Sequence, residues 1–332
     1  MPSDLPRPAY DAELVPILAQ IPPFPKITHE LIVAHHMDPT LYGPLPTVDE
    51  IIGHRPISHI EYHVPGLNPS DPNVTLSIFT PKSEAPSPRP CIYFIHGGGM
   101  IFLNRFVGID LPIEWVLETN CVLVSVEYRL APENPHPAPL SDCYAGLCWV
   151  SAHAQELGID PFRLMIGGHS GGGGLAAGVA LMARDLEGPK LCAQYLACPM
   201  IDDRNITVSS QQYVDEEPWD RGSNIAAWEA VLGSKAGSET EGEVSIYAAP
   251  ARATDLSGLP PAFIDVGSAE IFRDEGVAYA SKLWAAGVQA ELHVFPGGFH
   301  GFDFMAPKSR LAAQAITLKT EWVKNMLLLK KD

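Results

Sequence analysis

Short β-prone runs alternate with helical patterns along most of this chain, and that alternation restricts the fold more than any other feature. Ile60 to Val64, Val74 to Phe79, Cys91 to Ile95 and Cys121 to Val126 read as strands. So do Leu164 to Ile166, Cys192 to Cys198, Ala262 to Val266 and Ala290 to Phe295. Several are largely apolar, as strands covered on both faces are. Helical patterns lie between the later ones, at Leu140 to His153, Gly173 to Arg184 and Arg273 to Ala286, and a last one runs from Ser309 to Leu329. The expected fold is α/β, a mostly parallel central sheet flanked by helices.

Two stretches break the rhythm. Residues 1–55 are rich in proline with short apolar clusters, and read as a helical, irregular N-terminal cap segment. Residues 202–247 hold Trp219, Trp228 and many polar side chains around one helical stretch, Ile225 to Leu232, and read as a cap insertion over the sheet edge. Residues 56–201 and 248–332 remain for the α/β catalytic domain.

Composition narrows the partners. Thirty-nine acidic side chains against 22 Lys plus Arg give a net charge of -17, which disfavours nucleic acid. No run of about 20 apolar residues is present, so stable membrane insertion is not expected. The first eleven residues lack a basic-then-apolar leader pattern, which points to a cytoplasmic protein. The six cysteines form no close cluster with histidines; they read as buried free thiols in a reducing compartment, without a metal. Asn73-Val74-Thr75 and Asn205-Ile206-Thr207 match the glycosylation pattern, which a cytosolic chain would not present to that machinery.

The chemistry starts at Gly168-His169-Ser170-Gly171-Gly172, between the apolar Leu164 to Ile166 and a small-residue helical pattern. A nucleophilic serine on a tight strand-to-helix turn needs small neighbours, and the following helix turns free N–H groups toward developing negative charge. His169 should diverge from Ser170 and serve as a structural hydrogen-bond partner. His96-Gly97-Gly98-Gly99 follows another strand, and its glycines let backbone N–H donors approach an oxyanion. Gly171, immediately after the serine, is expected to supply a further donor. His96 is expected to brace this loop.

His300, in Pro296-Gly297-Gly298-Phe299-His300-Gly301-Phe302, stands just past a strand end, where a general base belongs. The acid should follow Ala262 to Val266, and there Glu270, Asp274 and Glu275 crowd together, with Asp265 inside the strand. Any of them must orient an imidazole and balance its cation. Spacing alone leaves the choice open.

Taken together these motifs resemble the carboxylesterases of the hormone-sensitive-lipase family, within the α/β-hydrolase superfamily. The likeness spans about residues 90–305. It includes His96-Gly97-Gly98-Gly99, Tyr128-Arg129-Leu130-Ala131-Pro132-Glu133, the serine turn, Leu259-Pro260-Pro261, Arg273-Asp274-Glu275-Gly276 and His300-Gly301-Phe302. The resemblance implies Ser170 as nucleophile, His300 as base, and Glu270 as acid, where the family usually carries aspartate. It implies oxyanion donors at Gly98, Gly99 and Gly171, with Gly97 as the alternative to Gly99. It also implies hydrolysis of short- to medium-chain esters through an acyl-serine, no cofactor, and frequent homodimers. Two departures stand out: His169 and Gly171 occupy positions where the family usually has aspartate and alanine. Met100, Ile101, Phe102, Tyr213 and Trp219 are the local candidates to line an apolar acyl cleft.

Overall fold

The computed structural model describes residues 5–21, 25–41, 43–83, 88–214 and 218–328. Leu329, the expected end of the last helix, and residues 1–4, 22–24, 42 and 215–217 of the two expected cap segments lie outside these.

Eight strands form one sheet: β1 Ile57–Val64, β2 Val74–Pro81, β3 Arg89–Ile95, β4 Val122–Glu127, β5 Ile159–His169, β6 Ala193–Ala197, β7 Ala262–Gly267 and β8 Ala290–Phe295. Their order is β1-β2-β4-β3-β5-β6-β7-β8. β2 runs antiparallel to both its neighbours, and β4, β3 and β5 to β8 are parallel. Eleven helices accompany them among the described residues: α1 Val15–Leu18, α2 His29–Met37, α3 Val48–Ile52, α4 Asp110–Thr119, α5 Ala138–Ala152, α6 Gly171–Asp185, α7 Val208–Gln212, α8 Arg221–Leu232, α9 Arg273–Ala285, α10 Phe302–Met305 and α11 Arg310–Leu328. None of these helices is long and apolar enough to cross a membrane.

Both faces of the sheet are covered, and the period of two along each strand decides which side chain meets which layer. Cys91, Tyr93 and Ile95 of β3 join the core beneath α5, α6 and α9. Ile92 and Phe94 join a second core against Ile113, Trp115 and Val116 of α4 and Trp322, Val323 and Leu327 of α11. This double covering is why the strands read as apolar runs.

Among the elements that differ from the sequence expectation, α4 and β5 have clear physical reasons. α4 lay hidden because Pro112 breaks its pattern, yet Pro112 stands in the first turn, where no intrahelical N–H is needed. β5 runs well beyond Leu164 to Ile166. Pro161, Gly167 and Gly168 conceal it, while β3 and β6 satisfy its backbone from both sides.

Residues 6–8 meet Gln212 and Tyr213. Gln212 Nε2 donates to Pro6 O at 2.5 Å, Tyr213 Oη to Pro8 O at 3.2 Å, and the Arg7 guanidinium lies 5.4 Å from the Tyr213 ring centre. The base of the insertion is anchored by Arg252, whose Nε donates to the buried Asp203 carboxylate at 2.5 Å.

Behind the sheet, the buried Lys319 of α11 reaches Asp265 of β7 at 3.0 Å and Asp303 of α10 at 2.6 Å. Burial pushes the Asp265 carboxyl up, Lys319 opposing it, and the two carboxylates hold Lys319 well above its ordinary value.

Candidate active site

Ser170 sits at the carboxyl end of β5 with φ 55° and ψ -124°, a strained conformation for a residue with a Cβ. The turn is fixed from three sides: Ser170 N donates to Ala197 O at 2.9 Å, and Ser170 O accepts from Gly174 N and Met200 N at 3.0 Å each. Small residues are obligatory here. A Cβ on Gly172 would stand 2.1 Å from Ile95 O, so α6 starts hard against the end of β3.

His300 follows β8, and its Nε2 lies 3.0 Å from Ser170 Oγ. Its Nδ1 lies 2.6 Å from Glu270 Oε2, and the other Glu270 oxygen accepts from Gly267 N at 2.6 Å. All three side chains are buried. Phe272 packs edge-on against the imidazole at 5.1 Å. A hydroxyl, an imidazole and a carboxylate linked in this order can move the hydroxyl proton onto the ring while the carboxylate balances the resulting cation.

The competing acids are engaged elsewhere. Asp274 accepts from Ser209 N at 2.7 Å and pairs with Arg273. Glu275 accepts from Ile201 N at 2.8 Å, and burial pushes its carboxyl well up. Asp265 faces Lys319 on the opposite side of the sheet, as alternation along β7 requires.

The glycine loop follows β3, beside the serine turn. Gly98 and Gly99 have φ of 93° and 61°, which favour glycine. The amides of Gly98, Gly99 and Gly171 donate to no group among the described residues. A Cβ on Gly171 would come within 2.9 Å of both Gly99 N and Met100 N, so the start of α6 packs closely against this part of the loop. That approach also accounts for Gly171: an alanine would press on the loop backbone. Gly97 is turned the other way, its α-carbon beside the His169 ring.

His96 is fully buried, stacked on Tyr128 at 4.1 Å, with Nδ1 3.0 Å from Gly97 O. Burial brings its pKa down to about 3. Tyr128 Oη donates to His96 O at 2.9 Å and to Gly97 O at 3.1 Å, so the brace comes from the tyrosine as much as from the histidine.

His169 departs from expectation. No hydrogen bond engages its ring among the described residues; strand alternation turns it onto the α4–α11 face, where it stacks on Phe94. Burial holds it down to about 4, with His300 and Lys319 adding to the effect. It borders a cavity of about 550 Å³, which Tyr195, Cys198, Gly301, Asp303 and Lys319 also line.

Of the proposed cleft residues, Met100, Ile101, Tyr213 and Trp219 all join the main core, and Phe102 packs against it. Trp219 also reaches the site: its indole lies where a Cβ on Gly99 would be, 2.3 Å from that point. Sequence reasoning missed Cys198, whose sulfur lies within 4.8 Å of donor atoms of both Glu270 and His300. Cys198 carried no motif.

Comparison with known proteins adds to this geometry. The family described as alpha/beta hydrolase fold matches residues 92–304. A carboxylesterase of Mycobacterium tuberculosis, NlhH, is 37% identical over 228 residues, 68% of this chain and 70% of its own. Esterase LipI of the same organism is 32% identical over 239 residues, 70% of this chain and 72% of its own. A solved bacterial heroin esterase superposes with a TM-score of 0.85 at 37% identity, covering 97% of this chain and 99% of its own.

Proposed function

We propose, for a chain that belongs to the hormone-sensitive-lipase-like carboxylesterases of the α/β-hydrolase family, that ester hydrolysis runs on a triad of Ser170, His300 and Glu270. The observation that carries this reading is the unbroken contact series from Ser170 Oγ through both ring nitrogens of His300 to Glu270. Ser170 attacks the ester carbonyl as His300 takes its proton, and the oxyanion rests on the amides of Gly98, Gly99 and Gly171. His300 then protonates the departing alcohol, and water, activated by the same imidazole, releases the acid. The nearness of Gly99 N to Gly171 favours Gly99 over Gly97 as donor.

The two cap segments, 1–55 and 202–247, cover the site, and short- to medium-chain acyl groups are its substrates. Trp219 against Gly99 supports this, because it limits the space beside the oxyanion loop. Rates across an acyl-chain series test it; a maximum among long-chain esters overturns it. Homodimerisation rests on family habit alone, since Trp322, Val323 and Leu327 of α11 pack against this chain's own sheet, and a monomeric mass by light scattering at micromolar protein ends it.

The central test is labelling by an organophosphonate together with ester turnover. Labelling is expected at Ser170 and lost in Ser170→Ala. A folded protein with neither labelling nor turnover points to a ligand-binding protein. Predominant transfer to an added alcohol at low concentration makes the chain an acyltransferase.

A further inference from the structure

Cys198, just past the end of β6, is a nucleophilic side chain beside the triad that the reaction does not use. Its backbone is fixed by Cys198 N donating to Asp265 O at 2.7 Å. Its sulfur, a Glu270 oxygen and a ring nitrogen of His300 all lie within 4.8 Å of one another, and all three residues are buried. One thiol, one imidazole and one carboxylate are a donor set suited to zinc and its heavier relative cadmium. Tetrahedral zinc bonded at ~2.3 Å to sulfur and ~2.0 Å to nitrogen or oxygen keeps its donors roughly 3.3–3.6 Å apart. The three donor atoms lie within 4.8 Å of one another, and the His300 Nδ1–Glu270 Oε2 contact, 2.6 Å here, would open by about 0.7 Å to admit the ion.

Cys198 also borders a space separate from Ser170, Glu270 and His300. Cys198 lines the cavity of about 550 Å³ behind the serine turn, whose wall also carries Asp110 and two ion pairs, Glu114 with Arg55 and Asp303 with Lys319. The chain's net charge of -17 adds a long-range pull on cations.

We infer that Cys198, Glu270 and His300 form an inhibitory site for a thiophilic divalent cation, which arrives from the rear cavity and arrests the triad. As the three bonds to the cation form, the thiol proton leaves to solvent and the ring proton of His300 moves from Nδ1 to Nε2, the nitrogen that would otherwise accept from Ser170. Glu270 no longer balances an imidazolium and the ring is pinned, so proton transfer from Ser170 stops. Ester binding, on the other face of the imidazole, persists. The inference rests on the triad reading above, and loss of turnover in metal-free His300→Ala tests that reading separately.

The experiment uses full-length protein freed of metal by chelator. Cadmium titration followed by the ultraviolet thiolate-to-cadmium absorption should show one site in the parent protein, in Cys148→Ser and in Cys192→Ser, and none in Cys198→Ser or Cys198→Ala. Saturating zinc should lower kcat by roughly 10²-fold with KM unchanged, the loss of a general base. Each variant is compared with its own metal-free rate, and the half-inhibiting zinc concentration should rise at least about tenfold in both Cys198 variants. Circular dichroism confirms folding. A cadmium band that is absent, or that survives in folded Cys198→Ala, overturns the site. Cadmium bound through Cys198 with zinc-insensitive turnover overturns the inhibitory role.

Discussion

Glu270 and Asp274 are four residues apart, yet one faces His300 and the other caps Ser209 N. Glu270→Gln should therefore keep the fold and lose roughly 10²–10⁴-fold in kcat, because an amide cannot balance the imidazolium. Asp274→Asn should leave kcat close to the parent value; the reverse outcome in steady-state kinetics moves the acid role. His96 supplies a pH prediction. Its folded pKa is about 3 against an ordinary 6.5, so between these values the unfolded chain takes a proton the native one refuses. The stability it contributes is complete above 6.5 and lost as pH falls toward 3, at a slope of up to about 1.4 kcal/mol per pH unit. His96→Phe, which can still stack on Tyr128, should flatten urea midpoints over that window by about one proton's worth; an unchanged slope refutes this. At this scale the serine, histidine and glycine positions were legible, because each needs a particular residue type at a particular turn. Cys198 was not. A lone cysteine after a strand carries no pattern, and only the folded ends of β6, β7 and β8 bring it near Glu270 and His300.

The serine turn and the glycine loop behave as one unit, since β3 and β5 pair in register up to Ile95 opposite Gly168. Gly171→Ala places a Cβ 2.9 Å from the Gly99 backbone, so the loop must yield by a few tenths of an ångström. The expected cost is roughly 3–30-fold in kcat, less than the loss of a whole oxyanion donor, with KM little changed. An equal or faster kcat would show that the loop relaxes freely. Apolar runs and three-four spacing made most strands and the later helices readable. α4 and the full β5 escaped because Pro112, Pro161, Gly167 and Gly168 obey tertiary demands: first-turn tolerance in one case, close packing in the other. The expected bond to His169 failed for the same reason, because parity along β5 decides its face and the motif does not.

For the whole molecule, Lys319 joins β7, α10 and α11 through two carboxylates. Lys319→Met would leave Asp265 and Asp303 buried without their cation, at a cost of roughly 3–5 kcal/mol, read as a lower urea midpoint. A loss below about 1 kcal/mol would mean that water or a proton compensates. The α/β class was readable from alternation alone, whereas the contact of residues 6–8 with Gln212 and Tyr213, some 200 residues away, left no trace in local pattern. The sheet order has a consequence in time. The groups around Ser170 come from the ends of β3, β5, β7 and β8, and β3 lies about 200 residues from β8 in the chain while β5 and β6 separate it from β7 in space. Such distant pairings form late, after local helices have already condensed. During refolding, helical circular dichroism should therefore recover before esterase activity, making turnover a reporter of the last strand to dock.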